Sequence, residues 1–237
     1  LTRSSIAKTL KKIIVDGRSL SKCSTELNKT IVDPRQQAFC KACIYGVLRN
    51  YFSLSEDFSN LIKTPLRQKD SDIRMLILSA LFQAKFMKIP SHALVSENVE
   101  AARSLKKEWA CKLVNAILRK YLKDNQLNIL NAKVHPTFNH PPWLANLTRQ
   151  DWPDDWEDIL TANNAHPPLT LRVNRRQVTR KEYLEALAAE SIVAASTQHS
   201  PDGVIITKPV PIESLPGFQE GHFSVQDEAA QLSRLVL

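Results

Sequence analysis

Residues 73–87 read IRMLILSALFQAKFM, and the only polar side chains among them are Arg74, Ser79, Gln83 and Lys85. Four scattered polar groups cannot make one hydrophilic face, so a helix of this composition is apolar nearly all round and belongs at the centre of a bundle. Ser71 or Asp72 is the expected cap at its start, and Ile89-Pro90-Ser91 is the break at its end. A buried central helix needs other helices packed around it.

The flanking sequence supplies them. Ile6, Leu10, Ile13 and Ile14 recur at helical spacing until Asp16-Gly17 stops them, and a short helix over 21–30 uses Leu27 and Ile31. Asp33-Pro34 places a capping carboxylate before a proline at the first helical position. The stripe Phe39, Cys43, Val47 and Tyr51 follows, with Ala42 and Gly46 as small residues that would let another helix approach closely. Leu54, Phe58, Leu61 and Ile62 form the next helix, closed by Thr64-Pro65. Helices at 91–105 and 107–123 complete seven, the last with Trp109, Leu113, Ile117 and Tyr121 as its apolar stripe.

The character then changes. Residues 124–142, DNQLNILNAKVHPTFNHPP, are polar and aperiodic, as in a linker. Short helices near 142–150 and 153–164 precede the alternating strand Leu169–Val173, and Pro153 with an acidic first turn starts the second of them. TRKEYLEALAAE (179–190) is a helix, while IVAAS (192–196) and GVIIT (203–207) are strands. Phe223 and Val225 form a last strand, and Asp227 opens an amphipathic run with Ala230, Leu232, Leu235 and Val236. The expected fold is multidomain, α then α+β: an all-α helical bundle over 1–127, a linker with short helices over 128–167, and a small α/β subdomain over 168–237. That last element order fits a ferredoxin-like or RNA-recognition-like sheet, without the aromatic stacking pairs of a true RNA-recognition motif.

Charge is divided unevenly along the chain. Residues 1–135 hold 24 Lys+Arg against 11 Asp+Glu, a net +13, whereas residues 136–237 hold 8 against 13, a net −5. Such an excess on one compact domain points to a nucleic acid, RNA or DNA, as a polyanionic partner, with a solvated lysine-rich surface as the plain alternative. Two groups carry it. Arg103, Lys106 and Lys107 of ARSLKK join Lys112, Arg119, Lys120 and Lys123 on the last bundle helices, and Arg172, Asn174, Arg175 and Arg176 leave a strand into a loop. Arginine forks hold phosphate bidentately and Asn can read a base edge or a backbone group.

Other chemistries find no support. None of the five glycines forms a nucleotide-cradling loop, and no Gly-x-Ser-x-Gly elbow is present. Cys40-Lys-Ala-Cys43 lacks the second ligand pair of a zinc site and is expected to be two buried helix-face cysteines, with no metal bound. His92 reads as a helix-start residue rather than a base. No apolar run approaches the ~18 residues of a membrane span, so a soluble cytoplasmic protein with no membrane partner is expected.

Several segments resemble a known family. DPRQQAFCKACIYGVLRNY (33–51), residues 73–103 and KLVNAILRKYL (112–122) resemble the NusB-like RNA-binding helical domain. HPPWLANL (140–147), ILTANNAHPPLTLRVN (159–174) and LPGFQEGHFSVQDEAAQL (215–232) resemble the segments that join such a domain to RNA cytosine-C5 methyltransferases of the RsmB (Sun/Fmu) type. The resemblance implies a chain cut before an S-adenosylmethionine domain, from an enzyme that methylates C5 of a cytosine in small-subunit ribosomal RNA through a cysteine thiolate. In that family one functional cysteine follows proline and another threonine. Here Cys23, Cys40, Cys43 and Cys111 follow Lys22, Phe39, Ala42 and Ala110, so no catalytic or cofactor residue carries over and this stretch alone is expected to be inactive and free of S-adenosylmethionine. No DNA partner is expected. The alternatives are a non-enzymatic NusB-like antitermination factor, against which the α/β tail argues, and a purely protein-binding helical module.

Overall fold

The computed structural model describes residues 2–126, 138–165, 167–208 and 210–233. The chain forms two compact units, Leu1–Asn164 and Ala165–Leu237.

The first unit is helical: α1 (Thr2–Ile14), α2 (Leu20–Thr30), α3 (Pro34–Arg49), α4 (Tyr51–Leu61), α5 (Ser71–Phe86), α6 (Ser91–Ser104), α7 (Glu108–Gln126), α8 (Pro142–Asp151) and α9 (Trp156–Asn164). As its composition requires, α5 is central. Every residue from Met75 to Gln83 is buried, and α1, α3, α4, α6 and α7 all pack against it. Each fully buried Leu or Ile contributes roughly 1.5–3 kcal/mol relative to exposure, so this helix anchors the core. Two of its buried polar groups are matched to each other and to α1: Gln83 donates to Ser79 Oγ at 3.1 Å and accepts from Arg3 Nε at 3.0 Å. Arg3 also pairs with Glu97 and lies over the Phe39 ring at 5.3 Å, tying α1 to α3, α5 and α6.

Local signals set most helix starts. Ser19 accepts from the Lys22 N–H ahead of α2, and Asp33 accepts from the Arg35 N–H at 2.9 Å with Pro34 beside it. Three expectations are corrected. Asp70, rather than Ser71 or Asp72, is the N-cap of α5, and it forms no side-chain cap because its carboxylate is committed elsewhere. The helix expected from Pro153 begins at Trp156, after a turn that ties Asp155 and Trp156 back to the Trp152 carbonyl. Ala42 is exposed, so only Gly46 admits a close neighbour: a Cβ there would fall within the Phe82 ring.

Trp109 is the fourth correction, being 51% exposed rather than core. An i, i+4 stripe advances about 40° around a 3.6-residue helix at each step. Counted back from Tyr121, which is buried, the stripe has drifted out of the core by Trp109. The inward face of α7 is instead Ala110, Val114, Ile117, Leu118 and Tyr121.

The second unit comprises β1 (Leu169–Val173), α10 (Arg180–Ala189), β2 (Ala194–Ser196), β3 (Gly203–Ile206), β4 (Phe223–Val225) and α11 (Glu228–Leu232). Its strands form one antiparallel sheet in the order β2-β3-β1-β4, with Leu171 opposite both Val204 and Val225. This is the ferredoxin-like order the sequence predicts. Leu171, Val173, Val204 and Ile206 pack with Tyr183 and Leu187 of α10, which a Thr179/Glu182 capping box starts. In α11 Ala230 is exposed and the buried residue is Gln231, whose amide donates to the Gln226 carbonyl at 2.9 Å and the Leu171 carbonyl at 3.3 Å. Leu235 and Val236 lie outside the described residues.

Gly46→Ala therefore destabilises the first unit by about 1–3 kcal/mol through overpacking against Phe82. Chemical denaturation checks this, and adding Phe82→Leu recovers a large part of the loss if the contact is its cause.

Candidate nucleic-acid interface

Two basic surfaces stand out, one in each unit. In the first, α6 and α7 enclose an open groove of about 590 Å³. Val95, Val99 and Leu122 supply its apolar part, and Arg103, Arg119, Lys123, His92, Glu100 and Asn115 its polar part. Lys112, Arg119 and Lys123 are separated by seven and four residues, so one outward stripe of α7 carries all three, and each is exposed. Arg119 Nε donates to Asn115 Oδ1 at 3.0 Å, which fixes the guanidinium at the groove wall. Arg103 pairs with Glu100 one turn earlier on α6. Lys120 is exposed on the neighbouring face of α7.

The turn between the two helices is tightly held. Lys106 adopts φ +59°, and its N–H and that of Lys107 donate to the Arg103 and Ala102 carbonyls, closing α6 with a left-handed cap. Lys107 is not free for a ligand. Its ammonium lies 2.6 Å from Asp70 and 3.8 Å from Asp72, and donates to the Lys69 carbonyl. The hydrogen bond between Lys107 and Asp70 holds the Asp70 carboxyl below the usual carboxylate range and raises Lys107 above the usual lysine value.

The structure adds residues that sequence reading missed. Lys8, Lys11 and Lys12 of α1 meet Lys106 around a second hollow of about 320 Å³ that also holds Asp16 and Asp72. Lys12 is bound to Glu26 at 2.9 Å. The 8, 11, 12 spacing on one helix was a usable signal, since i+3 and i+4 neighbours share a face.

In the second unit Arg172, Asn174, Arg175 and Arg176 border a hollow of about 380 Å³ with Asp202, Phe223 and Ser224. Asn174 is committed to the turn: its amide donates to the Gly221 carbonyl at 3.0 Å and its oxygen accepts from the Arg176 N–H at 3.2 Å. Arg175 pairs with buried Asp202. Arg172 leans on Gln226 at 3.4 Å, and Arg176 is exposed. Glu228 accepts from the His199 and Ser200 N–H groups, the Ser200 bond first among the causes that depress its pKa, so the VQDEAAQL segment fixes the sheet's loops.

Three of the four cysteines are packed into the core. Cys23, Cys40 and Cys43 are buried, and burial pushes the Cys40 thiol up to about 11 and the Cys43 thiol to about 12, which removes thiolate character. Among the described residues no group of three or more His, Cys, Asp or Glu is placed to hold a metal, and no helix is long and apolar enough to cross a membrane. The glycines do not fit S-adenosylmethionine: Gly46 and Gly217 are pressed against Phe82 and His222, Gly203 lies against Thr197, and Gly17 and Gly221 serve turns.

Fold and surface together define a cationic helical bundle joined to a small ferredoxin-like sheet. Comparison with known proteins places both parts. Residues 1–123 match the NusB family and residues 140–213 match the Methyltr_RsmF/B-like ferredoxin-like domain, so the chain belongs to the NusB family and continues into that second domain. It is 39% identical over 234 residues to the ribosomal RNA small subunit methyltransferase B of Pseudomonas syringae pv. tomato, covering 98% of this chain and 52% of the relative. The probable ribosomal RNA small subunit methyltransferase B of Coxiella burnetii is 38% identical, with 95% and 53% covered. The chain thus spans about half the length of these relatives. The crystal structure of PH0851 shares the fold at TM-score 0.65 and 17% identity, over 99% of this chain and 55% of the other.

Lys107→Gln lowers the melting temperature across the window between the ordinary aspartate pKa of 3.8 and the ordinary lysine pKa of 10.5. The sign follows from the shifts. Asp70, depressed when folded, contributes above 3.8 and loses its contribution as pH falls through its lowered pKa; Lys107, raised when folded, contributes below 10.5 and loses it as pH rises through its raised one. Melting curves of both proteins across pH check this, the gap closing at each extreme.

Proposed function

We propose that this chain is the RNA-holding part of an S-adenosylmethionine-dependent methyltransferase that modifies a cytosine at C5 in small-subunit ribosomal RNA in the cytoplasm. The outward cationic stripe Lys112, Arg119 and Lys123 beside the α6–α7 groove carries the reading, because phosphate neutralisation supplies most of the affinity of such surfaces. Lys120, Arg103 and Lys106 extend it, and Arg172 and Arg176 offer a second, smaller contact. The names of the relatives supply the substrate class and the methyl transfer. The α/β unit favours this reading over a free antitermination factor, since residues 140–213 match a domain described for methyltransferases. By this reading the methyl-donor seat and the attacking thiolate belong to the part of the relatives' length that this chain does not match, and Cys23, Cys40 and Cys43 here are buried.

Replacing Lys112, Arg119 and Lys123 together by Gln weakens binding to a small-subunit ribosomal RNA hairpin and reduces the slope of log affinity against log salt by about 2–3, near one per lost phosphate contact. Fluorescence anisotropy across a salt series measures both. An unchanged slope rejects the α7 stripe as the RNA contact.

A further inference from the structure

Resting on the RNA-binding reading, we propose that Trp109 is a stacking platform for one unpaired base of the bound RNA. The indole is 51% exposed in the first turn of α7. Lys112 follows it by three residues on the same helix, so one exposed ammonium stands along the same outward side, and exposed Lys106 lies in the turn that leads into α7. The next residue, Ala110, is fully buried and fixes the rotation of the helix beneath it. Among the described residues the ring has no aromatic or cation–π partner, whereas Trp156 packs edge-on against Phe138 and under Arg149.

The backbone below the indole is fixed in advance. The left-handed cap at Lys106 closes α6, and Lys107 clamps the turn to Asp70 and Asp72. A base stacking on Trp109 therefore orders no loop, and its neighbouring phosphates fall within reach of Lys106 and Lys112. Aromatic faces accept any base, so the contact selects unpaired nucleotides over paired ones rather than one sequence over another. A purely solvated Trp would make no such distinction.

The test uses the whole 237-residue chain with Trp109→Ala, Trp109→Phe and Lys112→Gln. Two probes are titrated: a ribosomal RNA hairpin with an unpaired loop, and a fully paired duplex of equal phosphate count. Trp109→Ala is expected to weaken hairpin binding about tenfold while leaving duplex binding and the salt slope unchanged, and Trp109→Phe to recover most of the loss. Lys112→Gln should lower the salt slope on both probes. Equal hairpin affinity for Trp109→Ala and wild type, or an equal loss on both probes, overturns the stacking role. Failure of the wild type to bind either probe would instead sink the RNA-binding reading on which it rests. Melting curves confirm that each variant is folded.

Discussion

The burial of α5 on all sides constrains everything else in the first unit. A helix with Met75 to Gln83 wholly inside must be wrapped by others, and each wrapping helix then has one face spoken for. The lysines and arginines of α1, α6 and α7 cannot share that face, because an unpaired buried charge costs several kcal/mol. They are driven outward by the same apolar packing that holds the bundle together. Where a cation of α1 does turn inward it is matched: Arg3 is met by Gln83, Glu97 and the face of Phe39.

Once outside, the basic residues divide between holding the fold and facing solvent. Lys107 locks the α6–α7 turn to the start of α5, and Lys12 and Arg18 share Glu26 between α1 and α2. In the second unit Asn174 and Arg175 are engaged with Gly221 and Asp202, while Glu228 and Gln231 brace the loops around β1. Lys112, Arg119, Lys120, Lys123 and Arg176 stand exposed. Anchored residues give the surface its shape, and exposed ones give it its field.

Much of this was legible in the sequence. The apolar run of α5, the Asp33-Pro34 start, the TRKEYLEALAAE helix and the alternation of β1 each follow from a local rule, and each element formed. What could not be read depends on partners distant in the chain. Asp70 is in place to cap α5, yet Lys107, thirty-seven residues later, takes its carboxylate. Trp109 has the spacing of a core residue, but helical drift carries it to the surface. Asn174 and Arg175 look available until Gly221 and Asp202 fold back onto them. Charge composition located the basic unit, but it could not tell which cations hold the fold.

Ultraviolet crosslinking of the chain to a small-subunit ribosomal RNA fragment, with peptide mapping by mass spectrometry, tests the central claim most directly. The predicted result is crosslinked peptides from 103–123, with a weaker set from 172–176. Crosslinks confined to the acidic α9 segment, or spread evenly over the chain, would contradict it.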